Sequence, residues 1–225
     1  ASRGATPVTA AQVEARLRAT RQFADRCTLV APSAWLADAA ERQGFPRPVV
    51  VPHGVDTPPV HRSAGPDAPF LFLGTLAPHK GPHLVVQAHR QSGIDRALHL
   101  HGPPGPDPRY VAALPGRGAL ADPFPALASA RALVLGSTWP ENAPLVVIEA
   151  RAVGCPVIAP AIGGLPELVE HGVDGLLYAP GDVRELARAL QRADATPHFP
   201  VRPPPTFREH LLRVESLLLG SEVKR

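Results

Sequence analysis

Residues 132–160 read ALVLGSTWPENAPLVVIEARAVGCPVIAP. Two short apolar runs, ALVLG (132–136) and PVIAP (156–160), bracket a segment in which Pro144 suits a first helical turn and Gly154 ends the helix. The stretch therefore predicts strand, loop, helix, strand, and both runs are apolar on each face, as buried parallel strands are. Glu141 falls in the loop and Glu149 about one and a half turns into the helix. Most neighbours of Glu149 in LVVIEA are apolar, and an unpaired carboxylate is costly to bury there. The amides of residues 143–146 are expected to point out of the helix start, where the partial positive charge contributes about 0.3–1 kcal/mol towards an anion. A diphosphate at that helix start, with hydroxyls of one ligand reaching Glu141 on one side and Glu149 on the other, fits this spacing. The plainer reading leaves Glu141 a solvated loop residue and Glu149 an exposed helix residue.

Outward from this unit the same alternation continues. Strands are expected at 27–31, 48–51, 70–74, 97–101 and 175–178, in addition to the two above. Helices are expected at 11–24, 33–43, 80–92, 107–114, 144–153, 165–171, 182–193 and 206–219. Strands alternating with helices define an α/β chain whose parallel sheet is flanked by helices. Ser33 is placed to cap the second helix, which ends at Gly44, and Asp182 with Glu185 reads as a capping box. Two proline-rich stretches without periodicity divide the chain. The reading is a front remnant at 1–51, an interdomain linker at 52–69, a Rossmann-like domain at 70–195, and a crossover at 196–225 ending in a helix that looks detached. Residues 1–51 hold about one βα unit and a further strand, so the front domain is expected to be incomplete. No internal repeat is visible.

The strand-to-helix junction FLFLGTLAPHKG (70–81) places Gly74, Thr75 and Lys80 at the carboxyl end of a parallel strand, where ligands of such sheets bind. It departs from the Walker pattern, because Gly81 follows Lys80 where a serine or threonine would hold magnesium. In LHLHGPPGPD (98–107) the prolines remove amide donors that a dinucleotide pyrophosphate needs, which argues against NAD or FAD. Gly163 and Gly164 would allow a ligand to approach the backbone closely, although a tight connection alone also needs glycine. The ten histidines show no metal-ligand spacing; His53 and His101 lie where they could border a cleft.

Composition narrows the classes further. The chain has 225 residues and a formal net charge of +3. Only Lys80 and Lys224 are lysines, so 21 of the 23 basic residues are scattered arginines. Without a basic stripe, and with 5% aromatic residues, the footprint of a nucleic-acid binder is missing, while the positive field still favours an anionic small molecule. Cys27 and Cys155 are far apart, which speaks against a zinc site or disulfide framework and for a reducing cytoplasm. No apolar run approaches the roughly 20 residues needed to span a bilayer. The chain starts at Ala1 and has no methionine, so a processed, truncated or partial sequence is expected.

Taken together, VVPHGVD, FLGTLAPHKG and the Glu-x7-Glu run followed by GCPVIAP and GGLPE resemble the retaining GT-B-fold glycosyltransferases of family 4, also called group 1. The resemblance runs from about residue 26 to the end and implies the C-terminal, donor-binding domain with only the end of the N-terminal one. It implies that Glu141 contacts the donor sugar and acts in catalysis, while Glu149 binds ribose hydroxyls. Asn142, Ala143, Pro144, Leu145 and Val146 would surround the diphosphate, Lys80 would neutralise it, and no metal or other cofactor is called for. The substrates implied are a nucleotide sugar and an acceptor, and a separate N-terminal domain or chain would complete the cleft. Relatives often carry arginine where Thr75 follows Gly74, and residues 102–123 are short for a region that usually supplies a strand and base contacts. A non-catalytic nucleotide-sugar-binding module or partner subunit is the alternative, and a sugar-nucleotide epimerase a more distant one.

Overall fold

A computed structural model describes residues 8–56, 58, 60–116, 118–196 and 198–220. The front segment comprises α1 (Ala10–Ala24), β1 (Val30–Ala31), α2 (Ala34–Arg42) and β2 (Val49–Val50). The larger part comprises β3 (Phe70–Leu73), a 3-10 turn (Pro78–Lys80), α3 (Pro82–Ser92), β4 (Leu98–His101), α4 (Pro108–Ala112) and α5 (Phe124–Ser129). It continues through β5 (Ala132–Val134), α6 (Leu145–Ala152), β6 (Val157–Pro160), α7 (Leu165–Leu168), β7 (Gly175–Tyr178) and α8 (Val183–Ala195), and α9 (Phe207–Leu219) comes last.

All five strands from β3 to β7 are parallel, in the order β4-β3-β5-β6-β7. Alternate side chains of β3 feed two cores. Phe70 and Phe72 join Val85, Leu100, Ile158, Leu186 and Leu190 on one face, whereas Leu71 and Leu73 join Leu127, Leu133, Val147 and Leu165 on the other. Helices α3 and α8 cover the first face, α5 and α6 the second. Each fully buried Leu or Phe contributes about 1.5–3 kcal/mol relative to exposure, so the sheet is held from both sides. The chain order reverses between β3 and β5, the point where crevices open at the carboxyl ends of the strands in doubly wound sheets.

Local departures from the sequence expectations have physical reasons. The helix expected to start at residue 80 splits into the 3-10 turn and α3, because Gly81 takes a left-handed conformation (φ 65°) and a Cβ there would collide with the Gly136 carbonyl. Asp182 does cap α8, accepting from the amides of Arg184 and Glu185, but the capping box does not close. The Asp182 amide is engaged with the Ala179 carbonyl, so the Glu185 carboxylate accepts from the Ala179 amide instead. Helix α5 was not expected: FPALAS is short and comes after a proline, leaving no helical period to detect.

Between β2 and β3 the described residues form no helix or strand. The Arg62 guanidinium nevertheless fastens this segment to the domain, donating to the carbonyls of Leu127, Ala128, Ala130 and Arg131. The C-terminal helix, read as detached from the domain before it, is tied to the chain that follows β2. Its Thr206–Glu209 capping box starts it, His210 Nδ1 lies 2.9 Å from the Pro52 carbonyl, and the Val55 amide donates to the Pro205 carbonyl at 3.1 Å. Helix α9 buries no residue fully, and Leu218 and Leu219 are exposed.

Candidate functional site

The turn after β3 and the loop after β5 face one another across the switch point. Between them lies a cavity of about 450 Å³. Gly74, Thr75 and Lys80 line it from the first, and Ser137, Glu141, Pro144, Leu145, Val146 and Glu149 from the second. The third wall, from the end of β4 and the chain leading on to α5, is His101, Gly102, Pro103, Ala119, Leu120 and Pro123. Thus one cavity holds both carboxylates of the Glu-x7-Glu run together with the single lysine of the domain.

The loop between β5 and α6 is rigidly held. The Thr138 amide donates to the His79 carbonyl at 2.9 Å, and the Gly164 amide donates to the Glu141 carbonyl at 2.7 Å. Beneath it, the buried Tyr178 hydroxyl donates to the Leu135 carbonyl at 2.8 Å. Glu141 is oriented by two donors to its Oε1, Lys80 Nζ at 2.7 Å and Ser137 Oγ at 2.8 Å. Lys80 thus lines the cavity paired with the Glu141 carboxylate, and its charge is available to an anion bound there.

Glu149 has a different environment. It is half-buried one turn into α6, and no hydrogen bond to its carboxylate is found among the described residues. Burial pushes its carboxyl above the ordinary glutamate range, with the negative charge of Asp122 adding to the effect. A carboxylate held in a cavity wall without a protein partner is suited to accept hydrogen bonds from ligand hydroxyls.

The helix start differs from the sequence expectation in detail. Pro144 is the N-cap and has no N–H, and the Val147 amide turns back to the Pro144 carbonyl at 3.0 Å. The outward amides are those of Leu145 and Val146, because a first helical turn offers them no intrahelical acceptor. Asn142 and Ala143 do not line the cavity. Ala143 is nearly buried, and Asn142 Oδ1 accepts from Ser33 Oγ of the front segment at 2.5 Å. Gly163 and Gly164 serve the loop instead of touching the cavity: a Cβ on either would collide with the carbonyl of Glu141 or Asn142, respectively.

Sequence reasoning missed Ser137, Leu120, Ala119 and Pro123. Ser137 had a signal, its place four residues before Glu141. The others lie in a loop with no period, brought in by tertiary contacts. The Gly102 amide donates to the Gly118 carbonyl at 3.0 Å, and a single bridge pairs Leu100 with Gly116. His101, noted as a cleft candidate, does line the cavity. Among the described residues no group of three or more His, Cys, Asp or Glu could hold a metal ion, and no helix is long and apolar enough to cross a membrane.

The parallel sheet and its helices are those of a GT-B-type α/β fold. Residues 68–194 match the family described as Glycosyl transferases group 1, and the chain belongs to that family. It is 36% identical over 186 residues to the D-inositol 3-phosphate glycosyltransferase of Actinosynnema mirum, a match that covers 66% of this chain and 44% of the relative. The corresponding enzyme of Mycobacterium avium is 35% identical over 136 residues, covering 53% of this chain and 31% of the relative. The chain thus spans less than half the length of these curated relatives. Among solved structures, Anabaena HepE in complex with UDP superposes with a TM-score of 0.77 at 24% identity, covering 92% of this chain and 68% of that one. The sucrose-phosphate synthase of Thermosynechococcus elongatus superposes with a TM-score of 0.68 at 24% identity, covering 95% and 62%.

Proposed function

We propose that this chain forms the donor side of a hexosyltransferase-type glycosyltransferase that moves a sugar from a nucleoside diphosphate sugar to an acceptor with retention of configuration. The observation that carries this reading is that Glu141, Lys80, Leu145 and Val146 at the start of α6, and Glu149 all border one cavity. In this reading the diphosphate lies against the start of α6 and Lys80, the ribose hydroxyls donate to Glu149, and the sugar reaches Glu141. Gly74 and Thr75 wall the diphosphate from the β3 side, while Asn142 and Ala143 shape the loop behind it. As the bond from sugar to diphosphate breaks, charge grows on the leaving diphosphate, and Lys80 with the helix amides stabilises it without a metal cofactor. Names of relatives support the class: the curated matches are glycosyltransferases, and HepE was solved with UDP and with UDP-glucose. Two free cysteines, Cys27 exposed and Cys155 buried, suit the reducing cytoplasm in which this activity is placed. An acceptor, and an N-terminal domain or a separate chain to hold it, are the partners required.

Calorimetric titration with UDP, GDP, ADP and TDP tests the reading. One of them should bind, and Glu149→Ala should weaken it by about ten- to a hundredfold, the loss of hydrogen bonds to a charged acceptor. Binding of none of the four, or equal affinity in the variant, sinks the assignment of the cavity. For Glu141→Ala, turnover should fall by more than nucleoside diphosphate affinity does, since its partner is the sugar; equal losses contradict that role. The second reading, a non-catalytic nucleotide-sugar-binding module or partner subunit, is favoured by one observation. Thr75 lines the cavity at the site where similar enzymes carry an arginine. Donor binding with no sugar transfer, in a chain supplied with a full N-terminal domain, selects it.

A further inference from the structure

The GGLPE segment does not line the cavity between β3 and β5, yet its Glu167 reaches the front segment. The Glu167 carboxylate accepts from two amides of the first turn of α2, Ala34 at 2.8 Å and Trp35 at 2.7 Å. Ser33, almost fully buried, accepts from the Leu36 amide at 3.2 Å and donates to Asn142 at 2.5 Å. Three of the amides that a helix start leaves without partners are therefore satisfied, two of them by a residue more than 130 positions away in the sequence. Charge-assisted bonds of this kind are the stronger ones, and the partial positive charge of the helix start favours the same carboxylate. On its other side the same turn holds the loop of Glu141. The Gly164 amide donates to the Glu141 carbonyl, and there is no room for a side chain between Gly164 and Asn142.

We propose that Glu167, assisted by Ser33, is a positioning residue that couples α2 of the front segment to the Glu141 loop, so that recognition of the donor sugar depends on where the front segment sits. The inference rests on the assignment of Glu141 to the sugar. The chain of contacts is continuous. Helix α2 is tied to Glu167 and, through Ser33, to Asn142; Gly164 fixes the Glu141 backbone; Ser137 and Lys80 fix its carboxylate. Of the groups assigned to the nucleotide, Glu149 and the amides of Leu145 and Val146 lie outside this chain of contacts, and Lys80, anchored on the β3 side, touches only its far end. Displacing α2 would leave two amides and a carboxylate to find new partners and would release Asn142, so the loop cannot ignore the movement.

The experiment compares the chain with its Glu167→Ala and Ser33→Ala variants by two readouts. One is amide hydrogen exchange without ligand. Exchange at Thr138 and Gly164 should quicken in both variants, while amides of β3 and β5 keep the parent rate. The other is the ratio of affinities for a nucleoside diphosphate and its glucose ester, using whichever of UDP, GDP, ADP or TDP binds. That ratio should shift against the ester by about two- to thirtyfold, with diphosphate affinity within twofold of the parent. Unchanged exchange in both variants overturns the coupling, and so does an unchanged ratio. If Glu167→Ala lowers protection throughout the sheet, Ser33→Ala and Glu167→Gln, which keeps one of the two acceptor oxygens, decide by the same two criteria. Failure of every diphosphate to bind the parent sinks the donor-site assignment instead, and hydrogen exchange still decides whether Glu167 holds the loop.

Discussion

The front segment and the five-stranded sheet use the same βα grammar with opposite results. In the sheet, β3, β5 and β6 are buried along their whole length, and helices cover both faces. In the front segment β1 and β2 have two residues each, and Val30, Val49 and Val50 are 48%, 41% and 37% exposed. Parallel strands are stable when both faces are covered. The sheet is therefore covered on both faces, whereas the front pair is partly open and is tied to the domain where Glu167 caps α2. The lesson concerns the site: in the proposed assignment its nucleotide end stands on the covered sheet, and its sugar end on a loop tied to the front segment.

The largest effect should come from cutting into the sheet. Leu133→Ala removes a fully buried side chain and should cost about 2–5 kcal/mol, while Val49→Ala should stay within about 0.5 kcal/mol. Chemical denaturation of the two variants checks the contrast, and comparable losses would erase it. Gly164→Ala is expected to come next. Its φ of −84° suits any residue, so the damage is purely steric, the new methyl meeting the Asn142 carbonyl. Overpacking of that kind costs about 1–3 kcal/mol, and the test is whether glucose-ester affinity falls along with the melting temperature.

The smallest effect is electrostatic. Burial raises the Glu149 carboxyl above its ordinary value of 4.5. The unfolded chain therefore ionises it first, and stability falls as pH rises from about 4.5 through the raised value. Glu149→Gln removes that penalty, so at pH 7 it should melt at the parent temperature or about 1–3 °C higher. The difference should vanish below pH 4.5. A variant that melts lower at pH 7 would mean that Glu149 has a stabilising partner and is no free acceptor.

Much of this was legible in the residues. The two apolar runs at 132–136 and 156–160, Pro144 and Gly154 marked a βαβ unit, because strand burial and helix punctuation are local properties. Glu141, Glu149, Lys80, Gly74 and Thr75 could be nominated from their places at strand ends and helix starts. Asn142 shows the limit: Glu141 before it and Pro144 after it line the cavity, yet its side chain turns away to Ser33. Nor could Glu167 be separated from an ordinary first-turn glutamate, since its partners lie 132 and 133 residues away. The part of the third cavity wall at 119–123 was silent for the same reason, its backbone having no period and its approach being set by bonds such as that from the Gly102 amide to the Gly118 carbonyl.

The sequence by itself determined the α/β alternation, the buried character of the strands and the identity of the two carboxylates, all of which depend on spacing and polarity along a few turns of chain. Only the tertiary structure decided that the order reverses between β3 and β5, which brings Lys80 to Glu141, and that Glu167 caps a helix of the front segment. Those are pairings between distant residues, fixed by packing both faces of the sheet and by satisfying the free amides of a helix start, and no local pattern encodes them.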